Sequence, residues 1–132
     1  MNKIELTTAA LFEPLTEIEF SGINLDLHNE YSCNKITIDY NEEIIKFDFK
    51  AENAQQAYQR LTMVFETFQI VEMVSKKLDS KTVLTPDNFY RGRFEYEGQH
   101  HETTPWGVFF HIEFYEEFYL DILCKKAYLK IE

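Results

Sequence analysis

Apolar and polar residues alternate with a period of two along most of the chain, the pattern of strands that bury one face. Ile18 and Phe20 are followed by Ile23, Leu25 and Leu27, so the apolar phase slips at Ser21–Gly22, where a bulge or tight turn restores one face. Ile36, Ile38 and Tyr40, then Ile45, Phe47 and Phe49 with Lys46, Asp48 and Lys50 between them, read as a β-hairpin around Asn41–Glu42. Strands return at 88–97, 106–115 and 117–131. Trp106, Val108, Phe110, Ile112 and Phe114 make one even-numbered apolar row, and Phe118, Leu120, Ile122 and Cys124 make another. Beyond Lys125–Lys126 the phase flips to Ala127, Leu129 and Ile131, which predicts a second bulge or bend.

One segment departs from alternation. Ala54, Ala57, Tyr58, Leu61, Val64, Phe65, Phe68, Val71 and Leu78 recur at three- and four-residue spacing, which predicts an amphipathic helix over 54–78. Asn53 and Gln56 suit a capping box at its start, and Lys76 and Lys77 suit the negative end of its dipole. Leu61, Phe65 and Phe68 would then be its buried face. The fold class this predicts is α+β: a curved antiparallel sheet packed against one long amphipathic helix, in the order strands, helix, strands. The length of 132 residues suits a single domain over 1–132.

Composition narrows the function classes. With 13 basic and 23 acidic residues the net charge is −10, which disfavours nucleic acid and anionic membrane and favours a basic protein partner. Residues 1–30 and 82–124 carry −5 and −6, residues 31–81 only −1, and the last eight +2, so the acid lies outside the expected helix. The start at Met1–Leu6 is polar and predicts no signal peptide, and no run is long enough for a membrane span. Two cysteines, Cys33 and Cys124, lack CxxC spacing and suit a reducing, cytoplasmic compartment. Spacing alone does not say whether they pair.

Three constellations carry candidate chemistry. Gln99-His100-His101-Glu102, with His111 and Glu113 on the next strand, offers metal-ligand types. Adjacent histidines in an extended segment point to opposite faces, however, so no metal site and no cofactor is assigned. Arg91 and Arg93 project from one strand face, where they either clamp an anion or pair with neighbouring acids such as Glu113. In the run from His111 to Asp121, the odd positions Glu113, Tyr115, Glu117, Tyr119 and Asp121 interleave carboxylates with tyrosines. Carboxylates steer a basic partner and tyrosines anchor it at little entropic cost, so these five are the candidate partner-binding residues.

No catalytic residue is assigned, since no serine lies in a GxSxG context and nothing singles out a carboxylate pair. In size, charge and expected compartment the chain is similar to small immunity and antitoxin proteins, inhibitors that neutralise basic toxin domains by covering an active site. The expected function is therefore protein binding that masks a basic partner, such as a nuclease or other toxin. The alternatives are a small-ligand pocket protein or enzyme, with an aromatic-lined cavity between helix and sheet, and a structural subunit of a larger assembly.

Overall fold

Alternation prevails over the helical stripe. The computed structural model describes residues 2–76, 84–115 and 118–132, and these form strands, turns and loops with no helix among them. In chain order the strands are β1 (Asn2–Glu5), β2 (Glu17–Phe20), β3 (Ile23–Asp26), β4 (Tyr31–Asp39), β5 (Ile44–Ala51), β6 (Arg60–Ser75), β7 (Asn88–Gly92), β8 (Phe94–Tyr96), β9 (Gln99–His101), β10 (Thr103–Thr104), β11 (Gly107–Phe114) and β12 (Phe118–Ile131). The expected α+β class is thus corrected to all-β.

The expected helix is mostly β6, with its last two positions, 77 and 78, outside the described residues. Both periods fit this segment. Residues 61, 64, 65, 68 and 71 satisfy the helical spacing, while 61, 63 and 65, then 68 and 70, satisfy the strand spacing with one interruption. The β-branched residues Thr62, Val64, Thr67, Ile70, Val71 and Val74 favour a pleated surface and disfavour a helix. The capping signal serves a turn instead. Asn53 Oδ1 accepts a hydrogen bond from the Gln55 amide at 3.0 Å, and the Gln56 side chain reaches Glu30.

The interruption has a local cause. Thr67 adopts a left-handed φ of 53°, and its amide donates to the Glu43 carbonyl at 2.8 Å. Across from it, Cys124 faces Phe68 and Lys126 faces Glu66. Both strands therefore change phase at one level, which is the bend foreseen at Lys125–Lys126. A separate register shift falls between Asp121 and Ile122. At the other foreseen slip, Ser21 and Gly22 have φ values of 51° and 79° and form the two-residue turn that pairs Phe20 with Ile23.

The main sheet runs β4-β5-β6-β12-β11, all antiparallel, with β1 on β12 and with β7 and β10 on the far side of β11. It curls until Phe47 of β5 stacks on Phe114 of β11 with ring centroids 5.8 Å apart. Leu84, bridged to Cys33 of β4, leads the chain on into β7 and so links the two sides. Phe65 sits at the centre, edge-on to Phe47, Phe89 and Phe110 at 5.9, 6.3 and 5.5 Å. Leu61 and Phe65 are buried as expected, whereas Phe68 is only half-buried and leans on Tyr40 at 5.4 Å. With no helix among the described residues, the expected cavity between helix and sheet has no counterpart there. Cys33 and Cys124 are free and buried, and burial pushes both thiols up to about 12, so they stay neutral and unreactive.

Two substitutions test this packing. Phe65→Ala removes a ring held by three others and should lower stability by about 3–5 kcal/mol in chemical denaturation. A loss below about 0.5 kcal/mol would place Phe65 outside the core. Gly107 opens β11 with φ 130°, and a Cβ there would meet the Cys124 carbonyl oxygen at 2.0 Å. Gly107→Ala should destabilise by at least about 2 kcal/mol, so an unchanged unfolding midpoint would contradict this close approach of β11 to β12.

Candidate functional site

Pairing across four strands assembles a polar row on the outer face of the sheet. Tyr90 of β7 lies opposite His111 of β11, which lies opposite Asp121 of β12, which lies opposite Glu72 of β6. The next row runs Asn88, Glu113, Tyr119 and Val74. Direct opposition brings these side chains within reach of one another. His111 Nδ1 is 2.5 Å from Asp121 Oδ1, and Nε2 is 3.2 Å from Glu113 Oε1. The ring lies between Tyr90 and Tyr119, at centroid distances of 5.2 and 5.7 Å. The Tyr119 hydroxyl donates to Glu72 Oε1 at 2.7 Å.

The electrostatics follow from this geometry. The hydrogen bond to Asp121 raises the His111 pKa, against the lowering effect of burial, and the Asp121 charge and Glu113 add to the rise. Burial, then the Asp121 and Glu113 charges, raise Tyr90, and the hydrogen bond to Glu72 raises Tyr119. Both phenols therefore remain neutral donors at ordinary pH. Among the described residues no Lys or Arg lies within ion-pair distance of Glu72, Glu113 or Asp121; the basic group beside Glu113 and Asp121 is His111, whose protonated form they favour.

Three of the five residues expected from the sequence are brought together here: Glu113, Tyr119 and Asp121. Tyr115 is not. It follows β11 with a left-handed φ of 52°, its amide bonded to Asp87 Oδ1 at 2.6 Å. Its ring packs on His28 at 5.6 Å instead of joining the row. Glu117 lies outside the described residues. Sequence reasoning missed Glu72 and Tyr90 as partners of this row. Reading 60–75 as a strand would have put Glu72 on a sheet face, but the pairing that sets it beside Tyr119 is non-local.

An apolar cleft adjoins the row on the same face. Leu123, two residues beyond Asp121, contributes to it, with Ile70 and Val71 of β6, Phe94 and Tyr96 of β8, and Trp106, around a volume of about 280 Å³. Trp106 was expected in a core row, but it precedes β11 in a turn where its amide donates to Thr104 Oγ1 at 3.1 Å. There it remains exposed, edge-on to Tyr96 at 4.8 Å.

The other constellations separate. His100 lies opposite Glu95 and His101 opposite Phe94, with the His101 ring near Tyr96. No group of three or more His, Cys, Asp or Glu side chains among the described residues is placed to hold a metal ion. Arg91 donates to the Ala9 carbonyl at 3.0 Å, and Arg93 pairs with Glu102 at 3.8 Å, so the acid that Arg93 meets is Glu102 and not Glu113. No helix among the described residues is long and apolar enough to cross a membrane. No known protein-family profile matches the chain, and no curated protein matches it in sequence.

The raised pKa of His111 has a measurable consequence. A histidine whose folded value exceeds its unfolded value of about 6.5 adds stability that is complete below that value and lost as pH rises through the folded one. Wild type should therefore exceed His111→Gln in stability most at about pH 5.5, and the gap should shrink steadily towards pH 9. NMR titration of His111 in the native protein should show the raised value directly. A value at or below 6.5 would mean that the two carboxylates do not hold the ring as a cation.

Proposed function

We propose that the protein is a binding module that masks a basic protein partner, without chemistry of its own. The observation that carries this reading is the outer face of β11, β12 and β6. There Glu72, Glu113 and Asp121 gather without a Lys or Arg counter-ion among the described residues, beside a cleft edged by exposed Trp106 and Tyr96. The two parts have different tasks. Carboxylates attract and orient a cationic surface from a distance, while large rings in a cleft supply desolvated anchoring. Masking of this kind is how an immunity- or antitoxin-type inhibitor neutralises a nuclease or other toxin, and that is the partner class we favour. A cytoplasmic setting belongs to the same reading, supported by two free, buried thiols.

The test separates steering from anchoring. A basic partner is first captured with the wild-type chain from the source cells, then purified and its binding kinetics measured. Glu72→Gln with Glu113→Gln should slow association about ten-fold at low salt and flatten its salt dependence, with little change in dissociation. Trp106→Ala should speed dissociation by a factor that corresponds to about 2 kcal/mol or more. If both variants bind every captured protein as the wild type does, this face is an ordinary solvated sheet surface.

A further inference from the structure

Residues 31–81 are nearly neutral and the last eight carry +2, and the fold gathers cations from both into one place. A groove of about 750 Å³ lies across β4, β5, β6 and the end of β12, lined by Lys35, Lys46, Lys50, Arg60 and Lys130. Two carboxylates share the lining. One of them, Asp48, accepts a hydrogen bond from Thr62 at 3.1 Å. Among the described residues none of the five cations makes an ion pair. Lys35 lies opposite Asp48, and Arg60 exchanges backbone hydrogen bonds with Glu132, the second acid of the lining, but Lys50 stands directly opposite Arg60 on the neighbouring strand. Such opposition destabilises a sheet, and a chain with 23 acidic residues has other charges to place there. An anion seated between Lys50 and Arg60 would relieve this opposition.

We propose that this groove binds a compact, multiply charged anion of the polyphosphate type. A guanidinium beside several ammonium groups matches the oxygens of linked phosphates, by forked hydrogen bonds from Arg60 and point charges from the lysines. Compactness follows from the field outside the groove. The lining is net cationic while the whole chain is −10, so a long polyanion leaving the groove runs into repulsion. The aromatic ring in the lining, Phe49, is buried and offers no platform on which nucleic-acid bases stack. Free polyphosphate and a nucleoside triphosphate share this chemistry. The site is independent of the partner-binding face.

Calorimetry and thermal unfolding of the full chain with inorganic tripolyphosphate test the proposal. The expected result is saturable one-to-one binding that raises Tm and weakens as salt increases. The double substitution Lys50→Gln with Arg60→Gln should weaken binding at least about ten-fold. Without ligand, that variant should match or exceed the wild type in stability, because the like-charge opposition is gone; this also guards against a trivial folding defect. Lys76→Gln, outside the lining, should leave binding unchanged. ATP that binds as tightly as tripolyphosphate identifies the phosphates as what is read, and tighter ATP binding adds a nucleoside contact; both support the site. Absence of saturable binding below about 1 mM at low salt overturns it, as does binding that the double substitution leaves intact. Tighter binding of a single-stranded oligonucleotide than of tripolyphosphate overturns the compact-ligand reading.

Discussion

The pairing of β6 with β12 is the constraint on which the other elements depend. It runs from Leu61 opposite Ile131 to Ser75 opposite Phe118, spanning nearly the whole of both strands. Every other strand of the main sheet attaches directly or indirectly to this ribbon: β5 and then β4 on the β6 side, and β1 and β11 on the β12 side. The shared phase change at Thr67 and Lys125–Lys126 lets one ribbon serve two parts of the core. Leu61, Met63, Phe65, Ala127, Leu129 and Ile131 are buried below it, and Leu120, Ile122 and Cys124 above. A ribbon without that break would turn one of these two sets towards solvent, because a single-residue slip exchanges the faces of a strand.

The same ribbon separates the two charged surfaces. Arg60 and Lys130 lie at one end, in the cationic groove, and Glu72 and Asp121 lie towards the other, in the acidic row. Arg60 and Glu72 stand twelve positions apart along β6, a contour of roughly 40 Å at strand rise, with the break at Thr67 between them. Exposed charges further apart than a Debye length of about 8–10 Å are largely screened from one another in salt, which limits how far the two surfaces offset each other. A chain of −10 net charge can in this way present a cationic concavity and an acidic face together.

Within the acidic row, His111 sets how much charge is exposed. Held between Asp121 and Glu113 and between the rings of Tyr90 and Tyr119, it is largely screened from water, while its neighbours keep it cationic to higher pH than a free imidazole. Protonated, it offsets part of the row's charge; deprotonated, it leaves the carboxylates uncompensated. The face therefore presents its greatest negative charge on the alkaline side of that titration.

The sequence alone determined most strands, both phase slips and the hairpin around Asn41–Glu42, because alternation with a period of two is a local property written into the residues; Leu61 and Phe65 are buried as expected, but as strand positions of β6 and not as the face of a helix. It also determined that Glu113, Tyr119 and Asp121 share a face, since they occupy alternate positions on strands joined by a short connection. It did not determine the state of 54–78. Apolar residues there satisfy both periods, and what selects the strand is the hydrogen-bonded place that β5 and β12 offer on either side, which only the folded chain supplies. Tertiary structure likewise decided that Glu72 and Tyr90 join the row, that Tyr115 leaves it for His28, and that Trp106 edges a cleft instead of filling the core. It drew cations spaced between Lys35 and Lys130 into one groove. Each of these depends on which strands become neighbours, and strand order is set by non-local pairing that no local pattern encodes.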